Sequence, residues 1–100
     1  MAEHVTFFRM KVKPGKIDEM MRMMNEDEPS LAAKGWQRTI AGRSKDDPNT
    51  VWIAVTWDTS ERYFKNAESP EQNASYERMR AFLEADPEWF DCDLINEERA

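Results

Sequence analysis

The segment Val51-Trp52-Ile53-Ala54-Val55-Thr56-Trp57 is apolar at nearly every position, so whichever way its side chains alternate, both faces are hydrophobic. A strand of that kind is covered on both sides. The stretch Trp36 to Arg43 before it is also rich in β-branched and aromatic residues, and Asp46-Asp47-Pro48-Asn49 between the two supplies turn chemistry. The pair reads as a hairpin. Whatever fold this chain takes must therefore place its second hairpin strand between two covering layers.

The flanking sequence provides one of those layers. From Val5 to Lys13 the residues alternate, with Phe8, Met10 and Val12 on one face and Val5, Phe7, Arg9, Lys11 and Lys13 on the other, which predicts a strand ended by Pro14-Gly15. Ile17, Met20, Met21 and Met24 then recur at helical spacing, with Asp18 and Glu19 in the first turn, where the helix dipole favours acids. Pro29 opens a second helical piece, Ser30 to Lys34, closed by Gly35, so the helix is broken near the acidic run Glu26-Asp27-Glu28. After the hairpin, Asp58, Thr59 or Ser60 caps a short helix through Ala67, and Ser69-Pro70-Glu71 starts another that turns Tyr76, Met79, Phe82 and Leu83 inward. Beyond Pro87, Trp89 to Ile95 alternates as a last strand.

Strand, helix, strand, strand, helix, strand is the ferredoxin-like plan, an α+β fold with an antiparallel sheet and its helices on one face. The helices cover one face of the doubly apolar strand, and a second copy of the chain is expected to cover the other. With 14 Lys and Arg against 20 Asp and Glu over 100 residues, the net charge of −6 describes one acidic domain spanning 1–100, its core at about 5–95. It lacks the basic footprint that nucleic acid or anionic membrane requires. No signal or membrane-spanning segment is visible, and the single Cys92 suits a reducing compartment, so a cytoplasmic protein is expected.

Conventional reactive groups are scarce. His4 stands near the terminus and reads as an incidental surface histidine, and one His with one Cys is poor material for zinc. Arg9, Lys11 and Lys13 are expected to pair with Asp91 and Asp93 if the first and last strands are neighbours. No phosphate loop, dinucleotide motif or Gly-x-Ser-x-Gly elbow appears. What remains is aromatic: Trp36, Trp52, Trp57, Trp89, Tyr63 and Tyr76, with Arg38, Asn66 and Asn73 as polar company and the methionine stripe as core or adaptable wall.

Val-Lys-Pro-Gly-Lys at 12–16, Lys-Gly-Trp at 34–36, Asp-Asp-Pro-Asn at 46–49, Val-Thr-Trp-Asp-Thr-Ser-Glu at 55–61 and Ser-Pro-Glu at 69–71 follow one another in an order that resembles the antibiotic biosynthesis monooxygenase (ABM) domain family of the dimeric α+β barrel superfamily. The resemblance implies a homodimer joined sheet to sheet, with a pocket between sheet and helices in each subunit. In the family's polyketide oxygenases a tryptophan ending the third strand and a tyrosine six residues later hold the substrate, and Trp57 and Tyr63 match them. The oxygenases' asparagine is replaced by Ile53, and their helix arginine aligns near Tyr76. The haem-degrading branch uses three positions that read Phe8, Asn66 and Tyr76 here, without its ligand histidine.

The expected function is monooxygenation, without a cofactor, of a small electron-rich aromatic such as a phenol, quinol or anthrone. Trp57, Tyr63 and Tyr76 would serve as catalytic residues, and Phe8, Met10, Arg38, Asn66 and Met79 would contact the substrate, with no metal. The alternative is a dimeric protein of the same fold that binds a small apolar ligand, or acts in a stress response, without turnover.

Overall fold

The computed structural model describes residues 2–100. Its order is β1 (His4–Lys11), α1 (Ile17–Glu26), α2 (Glu28–Lys34), β2 (Trp36–Arg43), β3 (Thr50–Trp57), α3 (Ser60–Ala67), α4 (Pro70–Arg80) and β4 (Glu88–Asp93). The four strands form one sheet in the order β2-β3-β1-β4, every pairing antiparallel, which is the ferredoxin-like arrangement.

Local chemistry explains the boundaries. Gly15, at φ 77°, turns the chain out of β1, and Val12 is held beyond the strand by an isolated bridge to Leu83. The helix breaks at Asp27, which ends α1 and begins α2, with Pro29 in the first turn of the second piece. Gly35, at φ 122°, closes α2. In the β2–β3 turn the Asp47 carboxylate accepts from the Asn49 N–H at 3.0 Å and the Thr50 hydroxyl at 2.8 Å. Thr59 and Ser69 cap α3 and α4 by accepting from Arg62 N–H and Gln72 N–H, each at 3.1 Å.

The even-numbered residues of β1 face the helices, where Phe8 and Met10 join Val12, Met20, Val51, Ile53, Met79 and Leu83 in the core. The alternation extends backwards, so His4 and Thr6 are buried on the same face. The opposite face of the sheet carries Phe7, Ile40, Trp52 and Phe90, all exposed in the single chain. Beyond β4, the Leu94 N–H donates to the Glu3 carbonyl and Glu97 reaches Arg38 at 3.3 Å, so the C-terminal segment runs back from the β4 edge to β2.

Three expectations need correction. β1 and β4 are neighbours, but Asp91 lies opposite Thr6 and Asp93 opposite His4 on the helix-facing side, while Arg9 pairs with Glu88 and Lys11 with Asp47. Strand parity, rather than adjacency, decides which charges meet. β4 also stops at Asp93, leaving Ile95 almost fully exposed. Phe82 and Leu83 lie beyond the end of α4, in the turn that packs on Val12.

Candidate functional site

Between the helix-facing side of the sheet and the four helices lies a cavity of about 410 Å³. Each layer contributes: Phe8 from β1, Trp36 and Thr39 from β2, Val55 and Trp57 from β3, and Trp89 from β4. Met21 and Met24 of α1, Leu31 of α2, Tyr63 and Asn66 of α3, and Tyr76 and Met79 of α4 close it from above. The helix break at Asp27 leaves room there, because α1 and α2 cannot lie flat on the sheet as one straight rod.

The aromatic walls hold one another in place. Phe8 and Trp89 have ring centroids 4.5 Å apart, and Tyr76 lies 6.3 Å from Trp89. Trp57 meets Tyr63 edge to face at 5.7 Å, and the Trp36 indole N–H donates to Thr39 at 2.8 Å. At this end Tyr63 stacks on His4, whose residue is 1% exposed. His4 is therefore a core residue and not the incidental surface histidine its position near the terminus suggests.

Its hydrogen bonds have a direction. Thr6 donates its one hydroxyl proton to Asp91 at 2.8 Å, so Thr6 accepts from His4 Nε2–H at 2.7 Å. In the neutral ring Nδ1 then accepts from the Ser60 hydroxyl at 2.9 Å. Burial lowers the His4 pKa from its usual 6.5 and outweighs the opposing pull of Asp91 and Asp93, which fits that neutral form. The Tyr63 hydroxyl faces Thr6 and Asp91, and burial, aided by the Asp91 charge, raises its pKa above 10.0. Tyr63 thus keeps its proton at neutral pH and can act there as a hydrogen-bond donor, not as a base.

Polar groups punctuate the rest of the lining. Asn66 is 7% exposed; its Nδ2 donates to Gln72 Oε1 at 3.1 Å, while its Oδ1 has no partner. On the rim, Asp27 accepts from the Ser75 hydroxyl at 2.5 Å and lies 3.5 Å from Arg78. Among the described residues, no group of three or more His, Cys, Asp and Glu is arranged to hold a metal ion.

Of the residues singled out from the sequence, Phe8, Trp57, Tyr63, Asn66, Tyr76 and Met79 come together on this cavity. Met10 does not line it; at 1% exposed it lies in the core, its strand position too far along β1 from the aromatic end. Arg38 is also absent from the lining, because the irregular register between Trp36 and Arg38 places it opposite Thr56, where it pairs with Glu97. Asp27 and His4 were not anticipated as parts of the site. Asp27 depends on a contact to α4 that no local pattern encodes, whereas His4 could have been found by extending the β1 alternation two steps towards the N-terminus.

No family model and no curated protein matches the chain. Solved structures do. A candidate antibiotic biosynthesis monooxygenase from Chloroflexus aurantiacus J-10-fl superposes with a TM-score of 0.77 at 19% identity, covering 98% of each chain. A second, from Bordetella bronchiseptica, gives 0.79 at 14% identity over 96% of this chain and 100% of its own. A dimeric ferredoxin-like protein from an uncultured marine organism gives 0.77 at 13% identity, over 100% of this chain and 94% of its own. The chain therefore shares, over essentially its whole length, the ferredoxin-like fold that these proteins have.

Proposed function

We propose that this chain is a single ABM-type domain that oxygenates a small electron-rich aromatic, of phenol, quinol or anthrone type, in the cavity between sheet and helices. The observation that carries this reading is the convergence of Trp57, Tyr63 and Tyr76 on one largely apolar, aromatic-walled space. Two of the similar structures are described as candidate enzymes of that class.

The chemistry asks little of the protein. The substrate loses a proton, its anion passes an electron to dioxygen, and recombination forms a carbon–oxygen bond; at an anthrone methylene, the second oxygen leaves as water with the substrate's own hydrogens. The Trp57 indole N–H would donate a hydrogen bond to an oxygen that gains charge, while Tyr63, its hydroxyl turned to Thr6 and Asp91, would brace that indole edge to face. Phe8, Met79 and Tyr76 would hold the ring and exclude water, and Asn66 would accept from the substrate. Phe7, Ile40, Trp52 and Phe90 on the outer sheet face support a homodimer joined through that face. We place the protein in the cytoplasm, with neither nucleic acid nor membrane as partner; among the described residues no helix is long and apolar enough to cross a membrane.

A second reading, ligand binding without turnover, is favoured by the state of Tyr63, which has the wrong protonation to begin the reaction. Dioxygen consumption over a panel of anthrones, naphthols and quinols separates the two. Saturable uptake that falls at least about tenfold in Trp57→Phe supports the oxygenase. No uptake above buffer, from compounds that nevertheless raise the melting temperature, supports the binding protein.

A further inference from the structure

Among the described residues, none that lines the cavity carries a positive charge. Asp27 and Glu28 stand together on its rim at the α1–α2 junction. The cation nearest to them by contact, Arg78, is half exposed and meets Asp27 at 3.5 Å without lining the cavity. Two acceptors on the lining, beside the amides of Asn25, Gln72 and Asn73, stand open to a ligand donor. Ser75 has given its proton to Asp27, which leaves its lone pairs free, and Asn66 Oδ1 is buried without a donor. A buried acceptor left unpaired is a standing cost that a ligand N–H or O–H would remove.

We propose that the occupant is a flat aromatic bearing a protonated amine, and that aromatic acids are rejected. This proposal rests on the aromatic-binding reading above and adds the charge of the substrate to it. A cation entering past Asp27 and Glu28 reaches a space walled by Trp36, Trp57 and Trp89, where an indole face attracts a cation and an indole edge does not. A carboxylate of the same size would lie beside two like charges, with no basic side chain on the wall to offset them.

The oxygenation chemistry points the same way. A neutral phenol that loses its proton becomes an anion in a cavity whose charged lining groups, among the described residues, are the carboxylates of Asp27 and Glu28. A phenol carrying its own ammonium group becomes a net-neutral zwitterion instead. The positive charge that the wall lacks is thereby brought in by the substrate.

The test uses one ring system in three charge states: naphthylmethylamine, naphthol and naphthoate, titrated calorimetrically into the intact protein at neutral pH and at low and high salt. The amine is expected to bind about tenfold more tightly than naphthol, and naphthoate at least about tenfold more weakly, with the differences shrinking at high salt. Glu28→Gln removes one rim charge without touching the contacts of Asp27 to α4, and Asp27→Asn removes the other. In Glu28→Gln the amine preference is expected to fall to about threefold or less while naphthol affinity holds; Asp27→Asn also loosens the Ser75 and Arg78 contacts to α4, so there only the amine-to-naphthol ratio is read, and it too is expected to fall. Circular dichroism confirms that the helices are intact. Equal binding of all three probes, or a preference for naphthoate, overturns the charge assignment and leaves the aromatic site standing. Failure of every probe to bind overturns both.

Discussion

The imidazole of His4 stacks on the phenol ring of Tyr63, with centroids 4.2 Å apart and planes inclined by 22°. One ring belongs to a histidine whose place in the sequence reads as incidental, and the other to the cavity wall, so the first residue of β1 helps fix the geometry of the site. Replacing His4 with alanine opens a void and strips partners from Thr6 and Ser60. We expect a loss of about 2–4 kcal/mol in urea unfolding.

The same residue gives the protein a pH dependence of defined sign. His4 has a folded pKa below its unfolded value of about 6.5, so the unfolded chain takes up a proton that the native state refuses. Its contribution is complete above pH 6.5, declines as pH falls from there towards the folded pKa, and is flat below it. Asp91 and Asp93 oppose the shift across β4, and Ser60 and Tyr63 flank the ring from α3. Unfolding free energies for wild type and His4→Gln, measured at intervals through this window, should converge as the pH is lowered.

Gly35 cannot be replaced cheaply. Its φ is 122°, and a Cβ there would lie 2.5 Å from the Asp58 carboxylate, which holds Thr59 N–H and Arg62 at the start of α3. Gly35→Ala should cost about 2–4 kcal/mol, read from the thermal unfolding midpoint, through backbone strain and displacement of Asp58 together. Gly42, where an added Cβ would meet nothing within 4 Å, is the matched control and should change stability by less than about 1 kcal/mol.

The open face of the sheet predicts association. Trp52 is 48% exposed with Arg9 over its ring at 5.3 Å, beside Phe7. Light scattering at micromolar concentration should give twice the 11.8 kDa chain mass for wild type, and the single chain mass for Phe7→Asp combined with Trp52→Glu. A wild-type protein that scatters as one chain would refute the sheet-to-sheet dimer.

Residue patterns in the sequence located the elements well because the signals were local. Trp36 to Arg43 and the strand ending at Trp57 are marked by β-branched and aromatic residues, and Ser69-Pro70 by cap chemistry, so each stands where its pattern put it. The site was legible only in part. Phe8, Trp57 and Tyr76 reach the cavity from separate elements. Met10 and Arg38 did not follow, since pocket depth along a strand and an irregular register in β2 are set by packing that no spacing rule records. Asp91 shows the same limit: its partner is Thr6 on the helix-facing side, and only the register of β1 against β4 reveals it.

Asp27 ends one helix, begins the next, and ties both to α4 through Ser75 and Arg78. Anyone retuning this cavity for a different molecule therefore has unequal freedom at its two ends. At the α1–α2 junction, gatekeeping and architecture share a single carboxylate, and altering one disturbs the other. Trp89, on an edge strand with its ring against Phe8 and Tyr76, offers a separable handle. Variation in substrate size can be absorbed there while the helices keep their seats.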